Sequence, residues 1–335
     1  NTSISYQLYR GSLPVGSPLA GTGGAISYGL QTTPGTYTIV ATNSITGCVN
    51  NMNGSATVMI NPLPIAYLVT GGGSYCIGSP GAHVGLSYSN SGVEYQLKLG
   101  GVNQGSPVNG SNSGLDFGAQ TGTGTYTVSA NNPLTGCRSN MSGSVSVNVN
   151  PLPNMHNVTG GGNVCTGGAG VPVGIDGTDL GVKYQLYNGA SPVGGLISGT
   201  GLPLTFGVYT TPGTYTVVAS NPTTGCTNMM SSSAIITVNG LPTAYTVSGG
   251  GSYCAGGPGQ HILLSNSDVG VNYQLMQGTA MIGSPVSSSG GMIDFGAITA
   301  TGCYTVVAND PLTTCSGNML GSSCITISPL PVPYT

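Results

Sequence analysis

The sequence predicts an all-β protein built as a tandem array of two-layered β-sandwiches, and three observations carry that prediction. The first is a strict repeat. Gly-Thr-Tyr-Thr starts at Gly35, Gly124 and Gly213, and Gly-Cys-Tyr-Thr starts at Gly302, so the tyrosines fall at 37, 126, 215 and 304, a constant step of 89. Tyr-Gln-Leu starts at Tyr6, Tyr95, Tyr184 and Tyr273 with the same step. A fixed period of this length marks a repeat architecture. The second observation is alternation: Tyr126, Val128 and Ala130 share one face while Thr125, Thr127 and Ser129 share the other, as strands require. The third is that no segment carries an apolar stripe at the 3.6-residue helical period.

Within the second unit the same alternation sets Val93, Tyr95, Leu97 and Leu99 against Glu94, Gln96 and Lys98, and Val145, Val147 and Val149 against Ser144, Ser146 and Asn148. With further strands near 65–70, 83–88, 104–108 and 114–118, each unit of about 89 residues holds about seven. Short strands separated by Gly- and Asn-rich turns fit two sheets with Greek-key connections. A parallel β-helix, the competing fold, recurs at a much shorter period. Proline-bearing markers divide the units: Asn61-Pro62-Leu63-Pro64, Asn150-Pro151-Leu152-Pro153, Asn239-Gly240-Leu241-Pro242 and Ser328-Pro329-Leu330-Pro331. Proline cannot serve a central ladder, so these are edges or short stiff linkers. The expected units are an incomplete one at 1–64, complete ones at 65–153, 154–242 and 243–331, and the start of another at 332–335. Asn1 aligns with Asn90, so the first unit lacks the counterpart of 65–89. A window on a longer array is one reading of that gap; completion by strands of another subunit is the alternative.

Composition removes several functions. Only 3% of the 335 residues are charged and the formal net charge is −3, against about a quarter charged in ordinary globular chains. The basic residues Arg10, Lys98, Arg138 and Lys183 are scattered, which excludes nucleic acid as a partner because phosphate neutralisation needs clustered cations. No apolar run reaches membrane-spanning length, and 59 glycines follow no Gly-X-Y period. A surface this poor in charge has little electrostatic protection against association. It is either covered by neighbouring subunits or glycans, or kept wet by Thr, Ser and Asn.

The nine cysteines follow the repeat. Cys76, Cys165 and Cys254 come early in their units; Cys137, Cys226 and Cys315 follow the tyrosine strand, each 61 residues later. One intradomain disulfide per unit is expected, closing a loop whose chain-entropy contribution is roughly 4 kcal/mol, in an oxidising extracellular setting. Reduced structural cysteines are the alternative. Cys303 and Cys324 replace Thr125 and Ser146 of the second unit on outward faces of adjacent strands, and they predict an added cross-strand disulfide. Two other connectivities stay open for the four cysteines of that unit. Cys48 is expected to be unpaired.

No catalytic residues, metal ligands or cofactor are expected. Ser, His and acid do not recur together, and no acidic loop matches a calcium site. His83, His156 and His261 read as surface residues. Asp176 with Asp179 could hold a weak calcium ion, but Asp179 and Asp268 share a turn position with Asn90, which favours side-chain capping. The triplets starting at Gly71, Gly160 and Gly249 precede neither a Lys-Ser/Thr pair nor a helix, so they are turns and not phosphate loops. Sequons at Asn1, Asn53, Asn109, Asn140 and Asn157 are what an Asn- and Ser-rich chain yields by chance. Tyr187 is the kind of exposed ring that stacks on a sugar.

The run from Pro212-Gly213-Thr214-Tyr215-Thr216-Val217-Val218-Ala219 through Thr224-Gly225-Cys226 to Ala234-Ile235-Ile236-Thr237-Val238 resembles the closing half of immunoglobulin-like and PKD-like repeats of bacterial surface proteins. It is similar to the repeats of large secreted Bacteroidota adhesins, including SprB-type gliding adhesins. The resemblance covers about 30 residues of each unit. It implies seven-stranded immunoglobulin-like sandwiches, type IX secretion, cell-surface display and a part in adhesion, gliding or filaments. The expectation is a non-catalytic stalk or filament whose partners are copies of itself, other surface proteins or surface glycans. The alternative is a carbohydrate-binding accessory region of a secreted enzyme, recognisable by a tyrosine-lined groove in every complete unit.

Overall fold

A computed structural model describes residues 2–332. Asn1 and residues 333–335, most of the expected start of a further unit, lie outside them. Every regular element among the described residues is a β-strand, and the chain divides into two compact units, Asn1–Val149 and Asn150–Thr335.

Within Asn150–Thr335, the repeat at 154–242 shows how the sequence makes a sandwich. One sheet runs Val158–Gly160, Val171–Ile175, Leu204–Tyr209; the other runs Gly162–Cys165, Ala234–Asn239, Gly213–Ser220, Lys183–Asn188, Ser191–Ser198, with Thr227–Met229 added beside the tyrosine strand Gly213–Ser220. This is immunoglobulin-like strand order. The following repeat has the same two sheets, as three and six strands. The chain is therefore an all-β array of immunoglobulin-like sandwiches.

Alternation builds the core. Tyr215, Val217 and Ala219 point inward from the tyrosine strand, with Tyr184 and Leu186 beside them and Val173, Ile175 and Ile236 from neighbouring strands. Tyr184, Leu186, Val217 and Ala219 are fully buried. Replacing Leu186 by Ala removes buried methyl groups and leaves a void, so it is expected to destabilise its repeat by about 2–5 kcal/mol, read as a shift in denaturant midpoint.

The tyrosine hydroxyls are also used. Tyr215 Oη donates to Thr211 O at 2.9 Å, Tyr126 Oη to Gly122 O at 2.8 Å, Tyr304 Oη to Ala300 O at 2.9 Å and Tyr37 Oη to Thr33 O at 2.7 Å. This bond four residues back pins the turn before the strand, as a tyrosine corner does.

Each complete repeat has nine strands where the sequence suggested about seven, for two reasons. The opening strand is cut in two by the glycine triplet. Val158–Gly160 pairs antiparallel with Val171–Ile175 in one sheet, and Gly162–Cys165 pairs parallel with Ala234–Asn239 in the other. Gly160, Gly161 and Gly162 lie at φ 91°, 79° and 135°, and a side chain on Gly161 would meet the backbone of Ile235. The triplet is a crossing between sheets rather than a simple turn. The ninth strand is the short Thr227–Met229 segment after the cysteine loop, too brief to show alternation.

Within Asn1–Val149, the repeat at 65–153 has the same two sheets, with its own core around Tyr95, Leu97, Tyr126 and Val128. Residues 2–64 instead form one five-stranded sheet. Ile26 and Tyr28 align with Leu115 and Phe117 of the strand Leu115–Gln120, yet the segment around them is not a strand. Leu115–Gln120 is held by Ala82–Leu86, and 2–64 contains no counterpart of that strand. Tyr28 instead lines a pocket together with Tyr6, Ile39 and Met52, and burial pushes its phenol up from its ordinary value, with Tyr6 adding to the effect.

Candidate functional site

The cysteines are the most distinctive chemistry of the chain, and their pairing corrects the expectation of one disulfide inside each unit. Cys165 bonds Cys315 across two repeats, with S–S 2.02 Å, Cα–Cα 5.6 Å and a sequence separation of 150. Strand direction explains why. Cys165 stands opposite Asn239 in the parallel ladder, at the trailing end where the closing strand leaves the repeat. Cys226 directly precedes Thr227, which pairs with Ser220 at the leading end. The tyrosine strand between these ends has eight residues, so the two cysteines are separated by about 23 Å at about 3.3 Å per residue. A disulfide tolerates Cα atoms only within about 7 Å. The late cysteine of the following repeat, by contrast, is carried by the short linker onto the trailing end: a Cβ on Gly317, two residues after Cys315, would come within 3.8 Å of Leu241 and 3.9 Å of Pro242.

Cys76 and Cys226 each take part in a disulfide as well. Cys137 and Cys254, both expected to be paired, are free, as is Cys48. The bonded late cysteines Cys226 and Cys315 are fully buried. In the fourth repeat, Cys303 and Cys324 face each other across antiparallel strands and are bonded, with S–S 1.98 Å.

The late-cysteine loop is preorganised by a side-chain cap. Asn221 Oδ1 accepts from the N–H of Thr223 at 3.0 Å and of Thr224 at 3.3 Å, and Asp310 Oδ1 accepts from Leu312 N at 2.9 Å. These Asx turns explain the Asn or Asp five residues before each late cysteine.

Asp179 and Asp268, expected to cap a turn, instead accept from the segment that opens their own repeat, Asp268 from Thr243 N at 2.7 Å, and Asp176, read as a weak calcium candidate, does likewise. Asp179 accepts from Asn154 N at 2.7 Å and Asn154 Nδ2 at 3.0 Å, with His156 Nε2 at 3.2 Å; Asp176 accepts from Asn157 N at 2.8 Å and Nδ2 at 2.7 Å. Burial pushes the Asp179 carboxyl up, but the bonds from Asn154 and His156 outweigh it and hold it below the usual range. Among the described residues, no group of three or more His, Cys, Asp or Glu side chains is placed to hold a metal ion.

Two functions escaped the sequence. His83 pairs with Asp116 at 2.7 Å and His261 with Asp294 at 2.8 Å, across one sheet edge. The signal was present: where Pro172 replaces the histidine, Thr205 replaces the aspartate. Asp294 is held low first by the Gly296 N–H and then by His261. A depressed carboxyl contributes stability above its unfolded pKa and loses it as pH falls through the folded one. Asp294→Asn is therefore expected to flatten the acid limb of the fourth repeat's pH–stability curve, read by urea midpoints from pH 6 to pH 2.

The second escape is the glutamine of Tyr-Gln-Leu. Gln185 Nε2 donates to Leu186 O at 3.0 Å and Val193 O at 3.0 Å, and Gln274 Nε2 donates to Leu275 O and Ile282 O at 2.9 Å. It clasps a hairpin at a register shift between Tyr184 and Leu186. The conserved spacing of the motif is thus structural.

The outward face of the large sheet carries shallow grooves. The one on the second repeat is polar, with Glu94, Lys98 and Arg138; the one on the fourth is lined by Met276, Met281 and Val307. Neither is lined by tyrosine. No helix of the described residues is long and apolar enough to cross a membrane.

No family model and no curated protein matches the chain. Solved structures do. The chain is similar to immunoglobulin domains 1–5 of Sidekick-1, at 16% identity over 98% of this chain and 74% of that one, with a TM-score of 0.28. It is also similar to the three-domain ectodomain of mouse nectin-like molecule 4, at 10% identity, 78% and 99% coverage and a TM-score of 0.33. The fibronectin(III)-like modules of CbhA from Clostridium thermocellum match at 16% identity, 54% and 99% coverage and a TM-score of 0.31.

Proposed function

We propose that this chain is a load-bearing, non-catalytic segment of an extracellular stalk or filament displayed at a cell surface. One observation carries the reading: consecutive repeats are joined twice, by a short linker and by the Cys165–Cys315 disulfide. A bond across a joint removes interdomain freedom, which serves reach and tension and gives nothing to catalysis. Disulfides also accord with an oxidising, extracellular setting. The proposed folding units are 1–64, 65–153, 154–242 and 243–331, with 332–335 opening another. In the finer form of the reading, the resemblance to Bacteroidota adhesin repeats implies type IX secretion and partners among copies of the chain, other surface proteins or surface glycans. Electron microscopy of native particles tests the proposal. Beaded strings or helical filaments fit it; isolated compact particles attached to a catalytic domain favour the carbohydrate-binding alternative, as does retention of a sugar on a glycan array.

A further inference from the structure

Half of the chain's basic side chains meet on one face of one repeat. Arg10, Lys98, Arg138 and Lys183 are its only Lys and Arg residues, and strand pairing brings Lys98 and Arg138 together although they stand far apart in sequence. On the outward face of the repeat at 65–153, Asn131 ends the tyrosine strand Gly124–Asn131 and is paired with Glu94 on one side and Arg138 on the other. Lys98 shares the strand Glu94–Leu99 with Glu94 and is flanked by Thr127 and Asn103. Alternation puts these residues on the face opposite the buried Tyr95, Leu97 and Val128. The three charged side chains line one groove of about 260 Å³ together with Asn103 and Ser129.

These charges are not spent on one another. Asn131 Oδ1 accepts from Arg138 Nε at 3.3 Å, which orients the guanidinium and leaves its two terminal nitrogens without a hydrogen-bond partner among the described residues. The ion pairs of the described residues all involve histidine, so neither Lys98 nor Glu94 is paired. The fold does not require the charges either. Lys98 and Arg138 are replaced by Tyr187 and Thr227 in the third repeat and by Met276 and Ser316 in the fourth, where the same groove is lined by methionine. In a chain with four basic and seven acidic residues, three on one groove are an addition to the scaffold.

We propose that this groove binds an acidic sugar, a uronic acid unit of a surface glycan. The free terminal pair of the Arg138 guanidinium matches a carboxylate in bidentate fashion. Lys98, about 13 Å from Glu94 along the strand, supplies a second charge for another acidic unit of the same glycan. Glu94, Asn103 and Ser129 offer acceptors and donors to ring hydroxyls. A peptide would anchor by apolar or aromatic side chains in closed pockets, and this groove has none. Two cations beside a carboxylate are too few for a nucleic-acid backbone. Single contacts at such an open site are weak, and a stalk displayed in many copies gains by avidity. The inference deepens the surface-glycan form of the stalk reading and rests on it. It differs from the accessory-region alternative, which needs a tyrosine-lined groove in every complete unit, by confining retention to one repeat.

The test is titration of the nitrogen-15-labelled full 335-residue chain with trigalacturonate, read from the arginine side-chain NMR signals. Arg10 and Arg138 are the only arginines, and Arg10 lies in another repeat, so it serves as an internal control. The expected result is a saturable shift of the Arg138 Nε–H signal while that of Arg10 stays in place. Arg138→Gln weakens binding about tenfold, Lys98→Gln weakens it less, and added salt weakens it further. Glu94→Gln separates a sugar from a bare anion. Losing a repelling carboxylate strengthens the binding of inorganic phosphate, whereas losing an acceptor for hydroxyls weakens that of trigalacturonate. Circular dichroism checks that each variant is folded. Equal shifts at Arg10, binding that survives Arg138→Gln, equal binding of neutral galactotriose, or tighter binding of a glutamate-rich peptide would each overturn the proposal. Microscopy of native particles reads the stalk function separately, so stalks that ignore trigalacturonate sink this inference alone.

Discussion

Stretched between anchors at the exposed positions Asn154 and Leu330, the oxidised chain is expected to withhold about 50 nm of contour length until Cys165–Cys315 is broken. The loop that this bond closes spans 150 residues, and an extended residue contributes about 3.5 Å. With the disulfide intact, force passes from Cys165 directly to Cys315, and the sandwich material between them bears none of it. Reduction, or Cys315→Ser, puts that chain back in the load path. Bonds confined to single repeats predict a different record: two hidden lengths of about 20 nm each, from loops of 61 residues. A single-molecule extension trace with and without reductant separates the two arrangements by more than twofold. The same variant is expected to be less stable at equilibrium by about 5 kcal/mol in the chain-entropy model, an upper figure because native strain and residual denatured structure reduce it.

Much of this architecture was legible in the residues. Alternation around Tyr215 and Tyr184 identified the inward faces, and the invariant step of 89 fixed equivalent positions in every repeat. The cysteine partners were not legible from spacing because spacing ignores direction. Cys165 and Cys226 are close in sequence and lie at opposite ends of one sandwich. Their placement follows only once Gly162–Cys165 is known to run parallel to Ala234–Asn239. That parallel edge strand was hidden by the glycine triplet, which reads locally as a turn. The His–Asp pairs were hidden for another reason: a polar pair on a sheet edge leaves no hydrophobic pattern, only the joint change to Pro172 and Thr205.

Gly161→Ala should couple these two features, because the sheet crossing sets where Cys165 emerges. Gly161 lies at φ 79°, where an L-residue is strained, and an added Cβ would lie 2.6 Å from the Ile235 carbonyl oxygen and 2.9 Å from its nitrogen. Both atoms belong to backbone whose ladder holds Gly162–Cys165 in place, so the clash cannot be relieved by turning a side chain. Left-handed strain and overpacking together are expected to cost about 3–5 kcal/mol. Gly167→Ala supplies the contrast. It has a similar φ of 77° but nothing within 4 Å of its would-be Cβ, so only the conformational cost of about 1–2 kcal/mol remains. Urea midpoints measure the difference in stability. Peptide mapping measures the consequence for the joint: if the triplet positions Cys165, Gly161→Ala leaves a fraction of Cys165 and Cys315 as free thiols while Gly167→Ala keeps them paired. Equal pairing in both variants would show that the linker alone brings the repeats into register.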